Sequence, residues 1–293
     1  MSTAPKIIYR DEHLVAIHKP AGVLTHPSRI AEDDDASAME LLRDHLGSWV
    51  YPIHRLDRAT SGILLFGLSR DAARRLHLTF ERGEVSKRYL AVTRGHAPRE
   101  AEIHRPLKER RDRITDRHVS LDKPPQAAHS SIQTWAHCTI PVSLGRYPTS
   151  RFSLISVKPH TGRRHQIRRH LAGLSYPLIG DTTHGRGELN RYFRQRFSCH
   201  RLLLAAIELS LVHPYEDRQL ELNASLEGVM ARVCHTLFLS PLNPTTAVLP
   251  RARIERSDQE RGTEGDDDER GGVSESAIWL QEPRLLRQRI ASW

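Results

Sequence analysis

The sequence predicts an α+β fold, built on a mixed, largely antiparallel sheet that is flanked by helices and loops. Runs typical of strands outnumber those typical of helices, and no regular helical crossovers separate them. The clearest strand-like runs are residues 63–66, 152–157 and 202–211. With 293 residues, 38% of them hydrophobic and 27% charged, the chain is long enough to bury a core.

The chain is predicted to begin with a hairpin and a helix. Residues 7–17 read as two short strands around a polar turn, and Lys-Pro-Ala-Gly at 19–22 forms the turn that ends the second strand. Ser37 and Glu40 then form a capping-box pattern, and helical apolar spacing continues to Gly47. We expect this helix to cover the sheet and to carry no chemistry.

A second helix is predicted over residues 69–82. Ala73, Leu76 and Phe80 give it one apolar face, and Gly83 marks its end. Two later elements are a strand and a helix, predicted at 89–93 and 166–172.

Charge is unevenly distributed along the chain. The formal net charge is +9. From Thr245 onward the chain has eight arginines and ten acidic residues, so the first 244 residues contain 36 basic and 25 acidic residues. Such a body should attract a polyanion over distances near ~8 Å, the Debye length at physiological salt. Charge alone leaves nucleic-acid binding and mere solubility equally open. Residues 1–244 are interpreted as the folded domain, and 245–293 as a polar, disordered tail, because apolar periodicity ends there.

The sequence excludes several classes of protein. No apolar run approaches the ~20 residues that span a bilayer, and the first ten residues lack the features of a secretory signal. Cys138, Cys199 and Cys234 lie far apart, which predicts neither a disulfide framework nor a thiolate metal site. We expect a cytoplasmic monomer.

The stretch that most suggests chemistry is His-Arg-Leu-Asp-Arg-Ala-Thr-Ser-Gly at 54–62, which runs into the apolar residues 63–66. A lone carboxylate, Asp57, between two arginines and before a buried strand is where a fold can hold a reactive group rigidly. From the local pattern alone, a cap of the turn or a pair with a neighbouring arginine is the commoner role for such an aspartate.

The string at 54–62, followed by its apolar strand, resembles the catalytic motif of the RluA-type pseudouridine synthases. Two further matches follow in order: Ser-Lys-Arg-Tyr-Leu-Ala at 86–91, and Lys-Pro-His-Thr-Gly-Arg-Arg-His-Gln-Ile-Arg at 158–168. The resemblance covers roughly residues 6–240. It implies a pseudouridine synthase catalytic domain, and an isomerase that converts a uridine of RNA to pseudouridine with no cofactor and no metal.

The resemblance implies that Asp57, Tyr89 and Arg168 are catalytic. Asp57 would attack as a nucleophile or remove a proton at the sugar, and the sequence leaves both open. Tyr89 falls where the family has its active-site tyrosine, which can stack on an extruded base and pass a proton. Propensity alone would make it a packing residue. Arg168 is placed opposite Asp57.

Basic residues around these motifs are expected to bind RNA. Arg55 matches the family arginine that enters the space left by a flipped base, and the segment 158–170 is rich in arginine without any acidic residue. The expected RNA contacts are Arg55, Arg58, Arg163, Arg164 and Arg169. The basic stretch 105–118 is either a loop near the RNA or a solvated charged surface.

Histidines in the same region do not predict a metal site. His160, His165 and His170 are five residues apart, a spacing that does not place them on one helical face.

Within the family, the resemblance is strongest to the branch that modifies position 65 of tRNA. It is carried by strings at 145–151, 168–171 and 180–185, which, apart from Arg168, are expected to lie outside the catalytic constellation. Two alternatives remain: the same chemistry on ribosomal RNA, and a basic RNA-binding module without turnover. Binding alone does not require the catalytic set, so its presence argues against the second.

Overall fold

One mixed sheet runs through the part of the chain that this computed structural model describes: residues 4–27, 36–109 and 124–239, with the backbone of Ala247–Val248. Its strands are β1 Lys6–Arg10, β2 Leu14–Lys19, β3 Tyr51–Pro52, β4 Ser61–Gly67, β5 Ser86–Arg94, β6 Glu100–His104, β7 His129–Ile140, β8 Ser150–Pro159, β9 Leu204–Val212, β10 Gln219–Asn223 and β11 Ala247–Val248. The helices are α1 Ala38–Leu46, α2 Arg70–Glu81, α3 Gln166–Gly173, α4 Gly187–Phe197 and α5 Gly228–Cys234, and a π-helical turn follows at His235–Leu239.

The strands are arranged in the order β1-β2-β4-β9-β5-β8-β7-β11, with β3, β10 and β6 attached to β4, β9 and β7. Within the described ranges β4 and β9 pair in parallel, and the other strand pairs are antiparallel. The predicted α+β fold with a mixed, largely antiparallel sheet is confirmed.

Helices cover both faces of the sheet. Successive residues of a strand point to opposite faces, and in β4 Ile63 and Leu65 pack with α2 whereas Leu64 and Phe66 pack with α1. In β5, Leu90 and Val92 join the core under α4 and α5, while the intervening Ala91 packs towards α3. The strands in the middle are therefore buried on both sides, as their uninterrupted apolar sequences require.

The first predicted elements are confirmed. β1 and β2 form the expected hairpin, with Lys6 opposite His18 and Arg10 opposite Val15. The capping box of α1 is complete, because the Ser37 hydroxyl accepts from the Glu40 amide at 3.3 Å and the Glu40 carboxylate accepts from the Ser37 amide at 2.9 Å.

Several elements had no specific sequence prediction, and α4 is the clearest case. Only Leu189 and Phe193 of this helix are fully buried, and no side chain caps its start. Leu189, Tyr192, Phe193 and Phe197 are at helical spacing and pack on one core, but the segment lacks the start signal on which a sequence-based prediction also depends.

Two predictions lie largely outside the described residues. The basic stretch 105–118 is described only up to residue 109. The tail predicted from residue 245 is described only at the backbone of Ala247–Val248, which pairs with Ala136 and His137 of β7. Of the helices that are described, none combines the length and the apolar character needed to cross a membrane.

His54, the first residue of the Asp57 motif, joins its loop to the sheet. Its Nε2 accepts a hydrogen bond from the Leu65 amide at 3.1 Å, and its ring stacks on Phe80 with the centroids 5.1 Å apart. Burial, with a smaller effect of the Lys87 charge, lowers the pKa of His54 from 6.5 to about 3. The imidazole is therefore neutral in the folded protein at neutral pH.

This shift makes stability depend on pH. Below pH 6.5 the unfolded chain takes up a proton on His54 that the folded chain does not bind, so the free energy of unfolding falls as the pH drops towards 3. Between pH 7 and pH 5 we expect His54 to account for a loss of about 1–2 kcal/mol. Urea unfolding of the parent and of His54→Gln, whose amide can still accept from Leu65, measures the difference. Equal losses in the two proteins would contradict this role.

Candidate active site

The loop that carries Asp57 is clamped to the turn that follows β2. The buried Lys19 ammonium donates to the carbonyl oxygens of Pro20 at 2.9 Å, Val23 at 2.7 Å and Arg58 at 3.3 Å. The Gly22 amide also donates to the Arg58 carbonyl at 2.8 Å, and Arg58 Nε donates back to the Gly22 carbonyl at 2.8 Å. These contacts fix the backbone immediately after Asp57.

The residue before Asp57 is fixed as well. The buried Thr25 hydroxyl donates to the Leu56 carbonyl at 3.1 Å and accepts from the Leu56 amide at 3.2 Å. The Thr60 amide donates to the Asp57 carbonyl at 2.9 Å, which closes the turn. The Asp57 side chain therefore projects from a backbone that is tied down on both sides.

Gly62 lets this loop enter the sheet next to β9. Its φ is +111°, and a Cβ atom there would overlap the carbonyl oxygen of Ala206 on β9. In the sheet register, Ala206 lies opposite Gly62 on one side and opposite Tyr89 of β5 on the other. Tyr89 is thus only two strands from the end of the Asp57 loop.

The electrostatic environment couples Tyr89 to Asp57. Burial raises the pKa of the Tyr89 phenol, and the negative charge of Asp57 raises it further. Tyr89 is therefore a neutral phenol at neutral pH, and its proton is held more firmly while Asp57 is charged.

The buried Lys19, which contacts the same loop, also responds to the charge of Asp57. Burial and the charge of Arg201 lower the pKa of Lys19 to about 7, while the charge of Asp57 acts in the opposite direction. Arg201 itself donates to the Ser61 hydroxyl at 2.9 Å, just after the Asp57 turn.

The third predicted catalytic residue is carried by α3, whose start is fixed by Gln166. The buried Gln166 amide donates to the His129 carbonyl at 2.8 Å, and its oxygen accepts from the Thr161 hydroxyl at 2.6 Å. Arg168 follows two residues later and is buried, with 7% of its side chain exposed.

The guanidinium of Arg168 contacts two carboxylates. Its Nη1 donates to Asp57 Oδ2 at 3.2 Å, whereas its Nε and Nη2 form a two-point pair with Asp181, both at 2.8 Å. The structure thus brings Asp57 and Arg168 together as the resemblance implied. The two-point contact of the guanidinium, however, is made with Asp181 and not with Asp57.

The expectation that the string 180–185 lies outside the constellation is therefore wrong. Asp181 also accepts from the amides of Thr183 at 2.8 Å and His184 at 2.9 Å. Burial acts to raise the pKa of Asp181, but the bonds from Arg168 and these amides outweigh it and leave the pKa below its usual range. Burial likewise acts to lower the pKa of Arg168, and the contacts with Asp181 and Asp57 leave it raised.

One histidine also lies beside Asp57, and a second lies beside that histidine. His165 Nε2 is 3.9 Å from Asp57 Oδ2, and its Nδ1 is 3.3 Å from His184 Nε2. His165 adopts a left-handed conformation, φ +53°, immediately before α3. Burial lowers the pKa of His165 to about 4, against the influence of Asp57, so this ring is neutral at neutral pH. Both residues belong to strings noted in the sequence, but no role was predicted for either.

The arginines predicted to bind RNA surround these groups at different depths. Arg55, Arg58 and Arg163 are exposed, while Arg164 and Arg169 are half-buried. Arg163 Nε donates to the Ala127 carbonyl at 3.1 Å, which ties the segment before α3 to the start of β7. Arg58 and Arg163 therefore also hold backbone in place.

The fold and this carboxylate–guanidinium site define a class of enzyme. A profile of the RNA pseudouridylate synthase family matches residues 13–173. The chain belongs to the RNA pseudouridylate synthase family, and it is an isomerase.

Individual relatives are similar over most of their length. tRNA pseudouridine synthase C of Yersinia pestis is 45% identical over 219 residues, which cover 75% of this chain and 85% of the relative. The protein of the same name from Vibrio cholerae is 43% identical over 224 residues, covering 76% and 92%. Among solved structures, human RNA pseudouridylate synthase domain containing 1 superposes with a TM-score of 0.58 at 25% identity, covering 76% of this chain and 83% of that one.

The two carboxylates on Arg168 should differ in their contribution to stability. Asp181 is buried, with 1% of its side chain exposed, whereas 22% of the Asp57 side chain is exposed. Removing one partner of a buried pair typically costs ~3–5 kcal/mol, because the remaining charge is left desolvated. We expect Asp181→Asn to lower the free energy of unfolding by an amount in that range, and Asp57→Asn by less than ~1 kcal/mol. Urea unfolding at neutral pH tests this, and similar losses for the two variants would show that both carboxylates are structural.

Proposed function

We propose that this protein isomerises one uridine of tRNA, at position 65, to pseudouridine, with Asp57 as the reactive carboxylate. The observation that carries the proposal is the partly exposed Asp57 carboxylate beside Arg168, in a member of the RNA pseudouridylate synthase family. The choice of tRNA is supported by the relatives named tRNA pseudouridine synthase C. On the sequence features given above, we also propose a cytoplasmic monomer.

The reaction rearranges bonds within one nucleotide. The bond between C1′ and N1 breaks, the base turns, C1′ joins C5, the C5 proton is lost and N1 gains a proton. Electrons and atoms balance without any co-reactant, so the chemistry requires neither a redox cofactor nor a metal. Asp57 attacks the nucleotide or removes a proton at the sugar, and either role needs a charged, accessible oxygen.

Arg168 and Asp181 keep that oxygen available. Asp181 compensates the charge of the buried guanidinium through its Nε and Nη2 atoms. The Nη1 atom of Arg168 therefore remains for Asp57. Asp57 is thereby oriented by a single charge-assisted bond, and a carboxylate oxygen stays free to react.

Tyr89 acts on the base. Its neutral phenol stacks on the extruded uracil. Late in the reaction its oxygen releases its own proton to the solvent and takes up the C5 proton, so the phenol ends neutral. The Asp57 charge that now raises the Tyr89 pKa disappears once Asp57 has formed a bond or taken up a proton. The pKa of the Tyr89 phenol then falls, which makes release of its proton easier at the stage at which the C5 proton has to be removed.

The arginines bind the RNA around this site. The exposed Arg55, two residues before Asp57, enters the gap that the flipped uridine leaves. Arg58, Arg163, Arg164 and Arg169 contact phosphates, whose oxygens match the guanidinium fork.

Conversion of Asp57 to Asn should abolish product formation while RNA binding persists, because the amide keeps the shape but can neither attack nor accept a proton. Pseudouridine is mapped by carbodiimide adducts and primer extension on transcribed tRNA and ribosomal RNA, and RNA affinity is measured on the same preparations. Asp44→Asn is the matched control, since Asp44 is an exposed carboxylate of α1 paired with Arg43. We expect the parent and the control to modify position 65 of tRNA.

Three outcomes would contradict parts of this proposal. A rate for Asp57→Asn within about tenfold of the parent, a barrier change of only ~1.4 kcal/mol, would remove Asp57 from the chemistry. Modification of ribosomal RNA but not of tRNA would overturn the substrate and keep the reaction. Binding of both RNAs by the parent without any product would favour a module that only binds RNA.

A further inference from the structure

Four side chains with metal-ligand chemistry meet on one face of strands β6 to β8, and we name them the histidine–glutamate cluster: Glu102, His104, His129 and His160. In the sheet register, His104 lies opposite His129. Glu102 and His104 are two residues apart on β6 and therefore point to the same face. His160, one residue after β8, joins them through its amide, which donates to the His129 carbonyl at 3.0 Å.

The donor atoms of the cluster are close together. One ligand atom each from Glu102, His104 and His129 lies within 4.8 Å of the other two. Glu102 Oε2 is 2.6 Å from His129 Nε2 and accepts from the Ser131 hydroxyl at 2.9 Å. The Ser131 hydroxyl also contacts His160 Nε2. The ring of His129 stacks between those of His104 and His160, with centroid distances of 4.0 and 4.1 Å.

We propose that the histidine–glutamate cluster binds one divalent transition-metal ion of the Zn²⁺ type. Two imidazoles and one carboxylate already lie close together, and with the His160 imidazole stacked beside them they make a donor set that Zn²⁺ accepts in tetrahedral sites. Glu102, His104 and His160 are exposed and His129 is half-buried, so the side chains are free to turn their donor atoms towards a common ion. The ion would replace the contact between Glu102 and His129.

The charges on this face favour a cation over a phosphate. The Glu102 carboxylate lies within the cluster and would repel an anion. Lys158 opposes a cation, because it lies opposite Ser131 on the neighbouring strand and hence on the same face. Lys158 is exposed, so solvent screens its charge.

The position of the cluster gives the ion a structural task. His104 is the last residue of β6 and His129 is the first residue of β7, so the pair lies at the two ends of the connection formed by residues 105–128. An ion bound by both would hold the two ends of this connection together. His129 also contacts the segment that leads to Arg168, because its amide donates to the Thr161 hydroxyl at 3.0 Å. The ion would clip these strands together and would take no part in the uridine chemistry.

A second stacked histidine pair provides the control. The rings of His96 and His137 are 4.5 Å apart, but their Nε2 atoms contact the carbonyl oxygens of Cys138 at 3.3 Å and Ala97 at 2.8 Å. This pair offers backbone hydrogen bonds and no carboxylate.

The test is calorimetric titration of ZnCl₂ into the full chain without a histidine tag, after EDTA treatment and dialysis. We expect one saturable site, with affinity lowered about 10–100-fold in His129→Gln and Glu102→Gln, and unchanged in His96→Gln. Co²⁺ gives a second readout, because its visible absorption on binding should be lost in Glu102→Gln. Melting curves without metal establish that each variant is folded, and Glu102→Gln changes an exposed side chain.

The proposal is overturned if Zn²⁺ shows no saturable binding, or if binding survives unchanged in both cluster variants. It is also overturned if inorganic phosphate, and not Zn²⁺, binds in a manner that His129→Gln abolishes. None of these results depends on the reaction proposed for Asp57.

Discussion

The guanidinium of Arg168 joins a structural carboxylate to a reactive one. A buried cation needs a compensating charge, and Asp181 supplies it through a two-point pair supported by two backbone amides. Because Asp181 meets that requirement, Asp57 can remain partly exposed and accept a single bond. An aspartate that alone neutralised the buried arginine would have both oxygens engaged and less freedom to react.

Much of the surrounding fold serves to bring these three groups together. The Asp57 loop is fixed by Lys19 and Thr25 before it enters β4, and α3 carries Arg168 from a start anchored by Gln166. Asp181 is placed by α4, where the Asn190 amide donates to the Asp181 carbonyl at 2.9 Å and its oxygen accepts from the Gly180 amide at 2.8 Å.

The sequence predicted the reactive residues better than the residues that hold them in place. The apolar strands were evident because their periodicity is local, whereas the catalytic role of Asp57 was implied by the resemblance of its motif to the RluA-type family. The role of Asp181 was missed because its partner is thirteen positions away and is met only through tertiary packing, and no side-chain cap marks the start of α4. The histidine–glutamate cluster could not be predicted from the sequence for a similar reason. His104 and His129 are far apart along the chain and become neighbours only through the pairing of β6 with β7.

The central claim is that Arg168 must bridge two carboxylates at once, and Arg168→Lys tests it most directly. Lysine keeps the positive charge but cannot donate to Asp181 at two points and to Asp57 together. The measurement is the single-turnover rate of pseudouridine formation at saturating tRNA, with RNA affinity determined in parallel. We expect a rate about 10–100-fold lower with RNA affinity unchanged. A rate equal to that of the parent would show that charge alone suffices and that the bridging geometry is not required.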